Sequence, residues 1–290
     1  MAGIIDLVGN TPMAELTQLN PNKNVKIYAK LEGNNPAGSV KDRAALNMIR
    51  SALERGDIKP GMKLIEATSG NTGIALAMMA RLFGLEIELI MPANSSKERT
   101  LTMEAFGAKV VLMETMEICR DYAEEKGEGS EYYLMNQFAN PDNYLAHYKT
   151  TGPEIWRDTE GKLTHFVSSM GTTGSIMGNS MFLKEQNPEI RIVGCQPTED
   201  SSIPGIRRWP AAYMPKIFDP SRVDEVIDIS QADATEMARK LARTEGIFAG
   251  MSTGGAAYAA LKVAETLDSG VIVFIACDRG DRYLSTDLFG

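Results

Sequence analysis

From residue 25 onward, short β-branched apolar runs alternate with helix-patterned segments of about ten to eighteen residues, a rhythm that dictates βαβ units on a parallel sheet. The runs fall at residues 26–32 (KIYAKLE), 63–68 (KLIEAT), 86–92 (EIELIMP), 109–113 (KVVLM), 132–137 (YYLMNQ), 164–170 (THFVSSM), 191–196 (RIVGCQ) and 271–277 (VIVFIAC). Several have few polar positions, as expected of strands covered on both faces. A chain of 290 residues exceeds one small core and suits two α/β domains, which the pattern divides near residue 146.

Composition narrows the function classes. With 30 Lys+Arg against 38 Asp+Glu, the net charge of -8 repels nucleic acid and anionic membranes, so any anion site must be local. The start, MAGIIDLVGN, lacks the basic and long apolar regions of a signal peptide. The longest apolar runs, at 74–80 and 271–277, are too short to span a bilayer, and a cytoplasmic location is expected. Cys119, Cys195 and Cys277 show no C-x-x-C spacing, and His147 and His165 lie apart, so neither a disulfide framework nor a metal site is expected.

Ser39 with Asp42 and Asp233 with Glu236 have capping-box spacing at two helix starts. Residues 198–224 carry four prolines and little periodicity, and a long irregular segment in a compact domain reads as a loop over the active site.

Three glycine-rich turns follow candidate strands: TSGNTG (68–73), GTTGS (171–175) and STGGA (252–256). In parallel α/β sheets such turns expose backbone N–H groups and the positive end of the next helix at the carboxyl edge, where ligands bind. GTTGS is the strongest phosphate cradle of the three. It is no Walker sequence, because no Lys follows its second Gly. TSGNTG adds an amide, Asn71, among three hydroxyls, a set suited to a carboxylate. Taken singly, each turn has an ordinary explanation, a helix cap or close packing, and for STGGA packing is the better one. Lys41, in NPAGSVKDR, falls in a first helical turn, where the helix dipole disfavours an ammonium group and favours the free amine. Taken singly, it reads as a surface lysine.

The set in this order, NPAGSVKDR, TSGNTG, GTTGS and a closing CDRGDRYLST, resembles the cysteine synthase family of fold-type II pyridoxal-phosphate (PLP) enzymes, from Gly9 to Leu284. IPGIRRW (203–209) and EGIFAGMSTGG are similar to the B-type branch of that family. The resemblance implies an α/β fold like the tryptophan synthase β-subunit, with two three-layer domains of mostly parallel twisted sheets and PLP in the cleft between them. It implies a smaller movable domain (1–12 and 35–146) that holds the substrate carboxylate, and a larger PLP-phosphate-binding domain (13–34 and 147–290).

By the same resemblance Lys41 forms the imine with PLP, and Asn71 meets its phenolic oxygen. Gly171, Thr172, Thr173, Gly174 and Ser175 hold its phosphate, and Ser252 lies beside its ring. Cys277 stands where relatives place a Ser or Cys near the pyridine nitrogen; strand alternation points Asp278 to the other face. Thr68, Ser69, Asn71, Thr72 and Gln137 hold the amino-acid carboxylate. Arg207, Arg208 and Trp209 border the substrate, the Arg pair binding thiosulfate.

The implied reaction is β-replacement on O-acetyl-L-serine by sulfide or thiosulfate, through an aminoacrylate, giving L-cysteine or S-sulfocysteine. Lys41 serves as anchor and general base, and a neutral Cys277 favours β-elimination over racemisation. The implied partners are these small molecules and a second copy in a homodimer, with no nucleic acid or membrane. Threonine dehydratase, cystathionine β-synthase and phosphoserine-dependent sulfhydrylases share the fold, and a non-catalytic scaffold is a further alternative.

Overall fold

The computed structural model describes residues 3–68, 70–93 and 95–290. In chain order the elements are β1 (Met13–Glu15), β2 (Val25–Leu31), α1 (Lys41–Arg55), β3 (Lys63–Ala67), α2 (Asn71–Leu82), β4 (Ile87–Pro92), α3 (Lys97–Ala105), β5 (Lys109–Met113), α4 (Met116–Gly127), β6 (Tyr132–Leu134), α5 (Pro141–Ala146), α6 (Gly152–Asp158), β7 (His165–Ser169), α7 (Gly174–Gln186), β8 (Arg191–Pro197), β9 (Glu225–Ile229), α8 (Gln231–Lys240), α9 (Met251–Glu265) and β10 (Gly270–Ala276). A π-helical turn, His147–Thr151, joins α5 to α6.

The strands form two sheets, ordered β1-β2-β10-β7-β8-β9 and β5-β4-β3-β6. β1 pairs with β2 antiparallel, and the other pairings are parallel. β2 lies along β10, Val25 to Leu31 opposite Gly270 to Ala276, although the whole smaller sheet is encoded between them.

Alternation along the strands feeds two cores per sheet, which is why their sequences are apolar almost throughout. In the smaller sheet Leu64 and Leu89 pack under α1 and α2 with Met48, Ile49 and Met79. Their neighbours Ile65 and Ile90 face α4 through Cys119 and Ala123. In the larger sheet Phe274 and Val167 meet the alanine-rich α9, whereas Val273 and Phe166 meet α7 through Ile176 and Leu183. Small side chains on α9 let it approach the sheet closely; a Cβ added at Gly254 would overlap the Ala234 carbonyl oxygen of α8. Close packing against α8 is thus what the first of the two glycines of STGGA provides, whereas a Cβ at Gly255 would make only ordinary contacts.

Two strands escaped the sequence reading. β1 is only three residues long, and β9 is an exposed edge strand, EVIDI, in which acidic residues interrupt the apolar pattern. Both capping boxes also shift. At α1 the Ser39 hydroxyl accepts the Lys41 N–H at 3.2 Å, while the Asp42 carboxylate turns back to the Ala37 N–H. At α8 the cap is Ser230, which accepts the Asp233 N–H at 3.0 Å and donates to its carboxylate at 2.6 Å, one residue triplet before the expected box. Among the described residues no helix is long and apolar enough to cross a membrane.

Candidate active site

The carboxyl ends of both sheets face one cleft, and the helices that begin there, α1, α2, α7 and α9, bring their first turns to its wall. The cleft is open to solvent at its mouth, and about 840 Å³ of empty space lies within it and its opening together. Lys41 lines it as the first residue of α1. Its amine pKa is lowered chiefly by burial, with Cys277, Asp278 and Glu32 pulling the other way. The surface lysine that local spacing suggests is therefore a cavity lysine, and burial outweighs charge in favouring its neutral form.

Cys277 lines the same cleft just past the end of β10, with its N–H held by the Thr253 hydroxyl at 2.9 Å. Burial pushes its thiol up to about 11, against the pull of Lys41, so it stays neutral at physiological pH. Asp278 is not itself among the cleft-lining residues, but its carboxylate reaches two that are, Asn71 and Tyr283. One carboxylate oxygen accepts from Asn71 Nδ2 at 2.7 Å and the Tyr283 hydroxyl at 2.6 Å, and the other accepts the Gly250 N–H at 3.1 Å.

On the α2 side the wall holds Thr68, Asn71, Thr72 and Gln137. The Thr68 hydroxyl accepts the N–H groups of Gly70 and Gly73, both at 3.2 Å, and so shapes the turn as a capping residue would. Thr72 donates to Gln137 Oε1 at 2.8 Å, and Gln137 Nε2 donates to the Ala67 carbonyl at 2.9 Å. Asn71 is held at both ends of its amide, by Asp278 and by the Arg282 guanidinium. Ser69 lies outside the described residues.

On the α7 side Gly171, Thr172 and Ser175 line the cleft. Thr173 adopts a left-handed conformation (φ 69°), which folds the turn over the start of α7, and among the described residues its buried hydroxyl has no hydrogen-bond partner. Gly174 packs so tightly on Asn143 that a Cβ there would overlap the Asn143 amide. A turn opening a thirteen-residue helix, with hydroxyls to spare and no acidic side chain, fits a phosphate. Lys41 and Cys277 line the same cleft, as does Ser252 in the first turn of α9. The residues present thus fit PLP.

The irregular segment 198–224 covers this cleft with Gly205, Arg207 and Trp209. It is pinned to the phosphate turn, because Trp209 Nε1 donates to the Gly171 carbonyl at 2.7 Å and the Arg207 N–H donates to Met170 O at 2.9 Å. Arg208 departs from the expectation. Its guanidinium points away from the cleft, to the Pro197 carbonyl at 2.8 Å and the Asp228 carboxylate at 2.5 Å, because consecutive residues of an extended segment face opposite sides. The second cleft arginine is instead Arg99, in the first turn of α3, and burial together with Arg99 lowers the pKa of Arg207. The cue that singled out Lys41, a cation in a first helical turn, is equally legible at Arg99. Phe138, Ser169 and Tyr283 also line the cleft and carry no local sequence cue.

A family model described as pyridoxal-phosphate dependent enzyme matches residues 4–278. Cysteine synthase B of Salmonella typhimurium is 60% identical over 286 residues, covering 98% of this chain and 94% of that protein. Cysteine synthase B of Escherichia coli is 57% identical, covering 100% of this chain and 97% of that protein. Among solved structures, cysteine synthase of Entamoeba histolytica superposes with a TM-score of 0.94 at 39% identity, over 100% of this chain and 90% of that one. Matched along its length by these relatives, and with Lys41, the GTTGS turn and a neutral Cys277 thiol lining one cleft, the chain belongs to the cysteine synthase family of pyridoxal-phosphate-dependent enzymes.

Proposed function

We propose that this chain makes L-cysteine from O-acetyl-L-serine and sulfide by PLP-dependent β-replacement, and S-sulfocysteine when thiosulfate replaces sulfide. The observation that carries this reading is that the Lys41 amine, its pKa lowered by burial, lines the same cleft as the neutral Cys277 thiol and the GTTGS turn. When bound, PLP supplies the electron sink that lets an α-proton and a β-leaving group depart.

The chain's own residues do the rest. Lys41 Nζ would hold the cofactor and, as a free amine, would take the substrate α-proton and later return it. Gly171 to Ser175 hold the phosphate through N–H groups and hydroxyls, and Ser252 flanks the ring. Asn71 would meet the phenolic oxygen through its second Nδ2–H, the first being given to Asp278. Cys277, neutral and lining the cleft, would offer the cofactor ring no charged partner, which would favour β-elimination over racemisation. Thr68, Ser69, Thr72 and Gln137 bind the substrate carboxylate.

Arg207, with Arg99 beside it and Trp209 behind it, suits a sulfur nucleophile bearing two negative charges. Residues 1–12 and 35–146 form the movable unit that closes on the carboxylate and excludes water, against a body of 13–34 and 147–290. The enzyme works as a cytoplasmic homodimer. Steady-state kinetics with O-acetylserine and O-phosphoserine, each paired with sulfide and with thiosulfate, test the proposal. Turnover is expected with O-acetylserine and both sulfur sources; no product from O-acetylserine with either would overturn it.

A further inference from the structure

Behind the phosphate turn, two buried side chains touch the two hydroxyls that face the cleft. Asn143, at the centre of α5 and 2% exposed, donates from Nδ2 to the Gln137 carbonyl at 2.7 Å and to the Thr172 hydroxyl at 3.1 Å. A carbonyl only accepts, so the Gln137 contact fixes which end of the amide faces the turn. His147, 1% exposed in the π-helical turn, lies 3.3 Å from the Ser175 hydroxyl through Nε2 and 2.8 Å from the Thr151 hydroxyl through Nδ1. Burial, with help from Arg43 and Lys41, holds its pKa well below the usual value, so the ring is neutral and carries one N–H. Among the described residues neither the Thr151 nor the Ser175 hydroxyl has another hydrogen bond, but Thr151 is fully buried with only Nδ1 to receive its proton, whereas Ser175 lines the cleft, where a ligand can take its proton; this places the ring proton on Nε2.

We infer that Asn143 and His147 are positioning residues for the cofactor phosphate: each donates to a cleft hydroxyl from behind, which forces Thr172 and Ser175 to aim their own protons at the phosphate. A hydroxyl has one proton, and once its oxygen accepts from the protein the proton is available to a ligand anion. The Gly174 N–H, 3.4 Å from Thr172 Oγ, adds to the same bias. Asn143 also ties the phosphate turn to the Gln137 backbone on the substrate side, so one amide sets the spacing of both halves. This inference rests on the reading of the cleft as a PLP site.

Ring 15N–1H NMR of the labelled full chain, freed of cofactor and then loaded with PLP, tests it. The chain has two histidines, so a His165→Gln variant assigns the spectrum. His147 is expected as the Nε2–H tautomer in both states; an Nδ1–H tautomer would overturn the inference. In parallel, Asn143→Leu and His147→Leu should each weaken PLP binding about ten-fold, as loss of a charge-assisted hydrogen bond implies. Both should also shift the 31P resonance of bound cofactor. His147→Gln, which restores a donor near Nε2, should recover most of both effects. Lower thermal stability with unchanged PLP affinity and 31P shift would sink the inference while leaving the functional reading intact. If a Leu variant fails to fold, the wild-type tautomer decides. Failure of the wild-type chain to take up PLP would overturn the functional reading and this inference with it.

Discussion

Arg207 and Arg208 are adjacent and chemically alike, yet one guanidinium faces the cleft and the other is committed to Asp228. Arg207→Ala should therefore lower kcat/KM with thiosulfate by about ten-fold or more while changing the sulfide reaction little, since a dianion loses a charge-assisted contact. Arg208→Ala should leave that ratio unchanged; equal effects of the two substitutions would refute the assignment. Sequence could not separate the pair, because which side each faces is set by how residues 198–224 dock on the phosphate turn.

Glu66 in β3 tells a similar story at a position no local pattern marks. Burial raises its carboxyl to about 7, although the N–H groups of Gln137 and Ala67 pull it down. Its folded pKa lies above the unfolded one, so the stability associated with it is complete below about pH 4.5 and is lost as pH rises through 7. Glu66→Gln keeps an acceptor for Gln137 and should stabilise the protein at pH 8 by on the order of 3 kcal/mol. At pH 4 the gain should vanish. Melting temperatures across this range check it, and a pH-independent effect would contradict the account.

At the level of elements, α7 is a contact surface as much as a helix. Gly174 and Gly178, one turn apart, face α5 and the π-helical turn, and a Cβ at Gly178 would overlap the Tyr144 carbonyl oxygen and lie 2.8 Å from the His147 Cβ. Gly178→Ala should cost about 1–3 kcal/mol by overpacking. It should also weaken PLP binding, because α7 carries the phosphate turn. A thermal melt and a PLP titration check this, and an unchanged PLP affinity despite lower stability would separate packing from the site. Seven of the eight expected strands end within two residues of the sheet pairings, because β-branched apolar runs mark strands whether covered on both faces, as in β4, or at an edge, as in the partly exposed β5. The remaining run, 132–137, shortens to Tyr132–Leu134, where Asn136 takes a positive φ and turns Gln137 towards Glu66. Helix starts were less legible, since Ser39 and Ser230 use their hydroxyls in ways that spacing alone misassigns.

Over the whole molecule, the two sheets are joined behind Lys41 by a buried ionic network. Arg43 on α1 reaches Glu32 and Glu154, each at 2.7 Å, and Lys30 on β2 reaches Glu154 at 2.9 Å. Burial pushes the Glu154 carboxyl up, but Arg43 and Lys30 override it and hold it at about 2. The stability it contributes is therefore present above about pH 4.5 and lost as pH falls towards 2. Arg43→Met strands buried carboxylates and should destabilise the fold by about 3–5 kcal/mol at pH 7, with a flatter loss of stability on acidification. Chemical denaturation at pH 7 and pH 4 reads both, and a near-neutral substitution would show that the network holds nothing together. No sequence window contains this network, because its members come from β2, the segment before α1, α1 itself and α6.

The same non-locality limits how far Lys41 can be read in isolation: its helix position is written in NPAGSVKDR, while its burial and its neutral partner come from β10, at the other end of the chain. Borohydride reduction of the PLP-loaded chain, followed by peptide mass analysis, tests the central claim most directly. The account predicts a pyridoxyl group on Lys41 and none in a Lys41→Ala variant. A label on another lysine, or no label on a chain that has bound PLP, would contradict it.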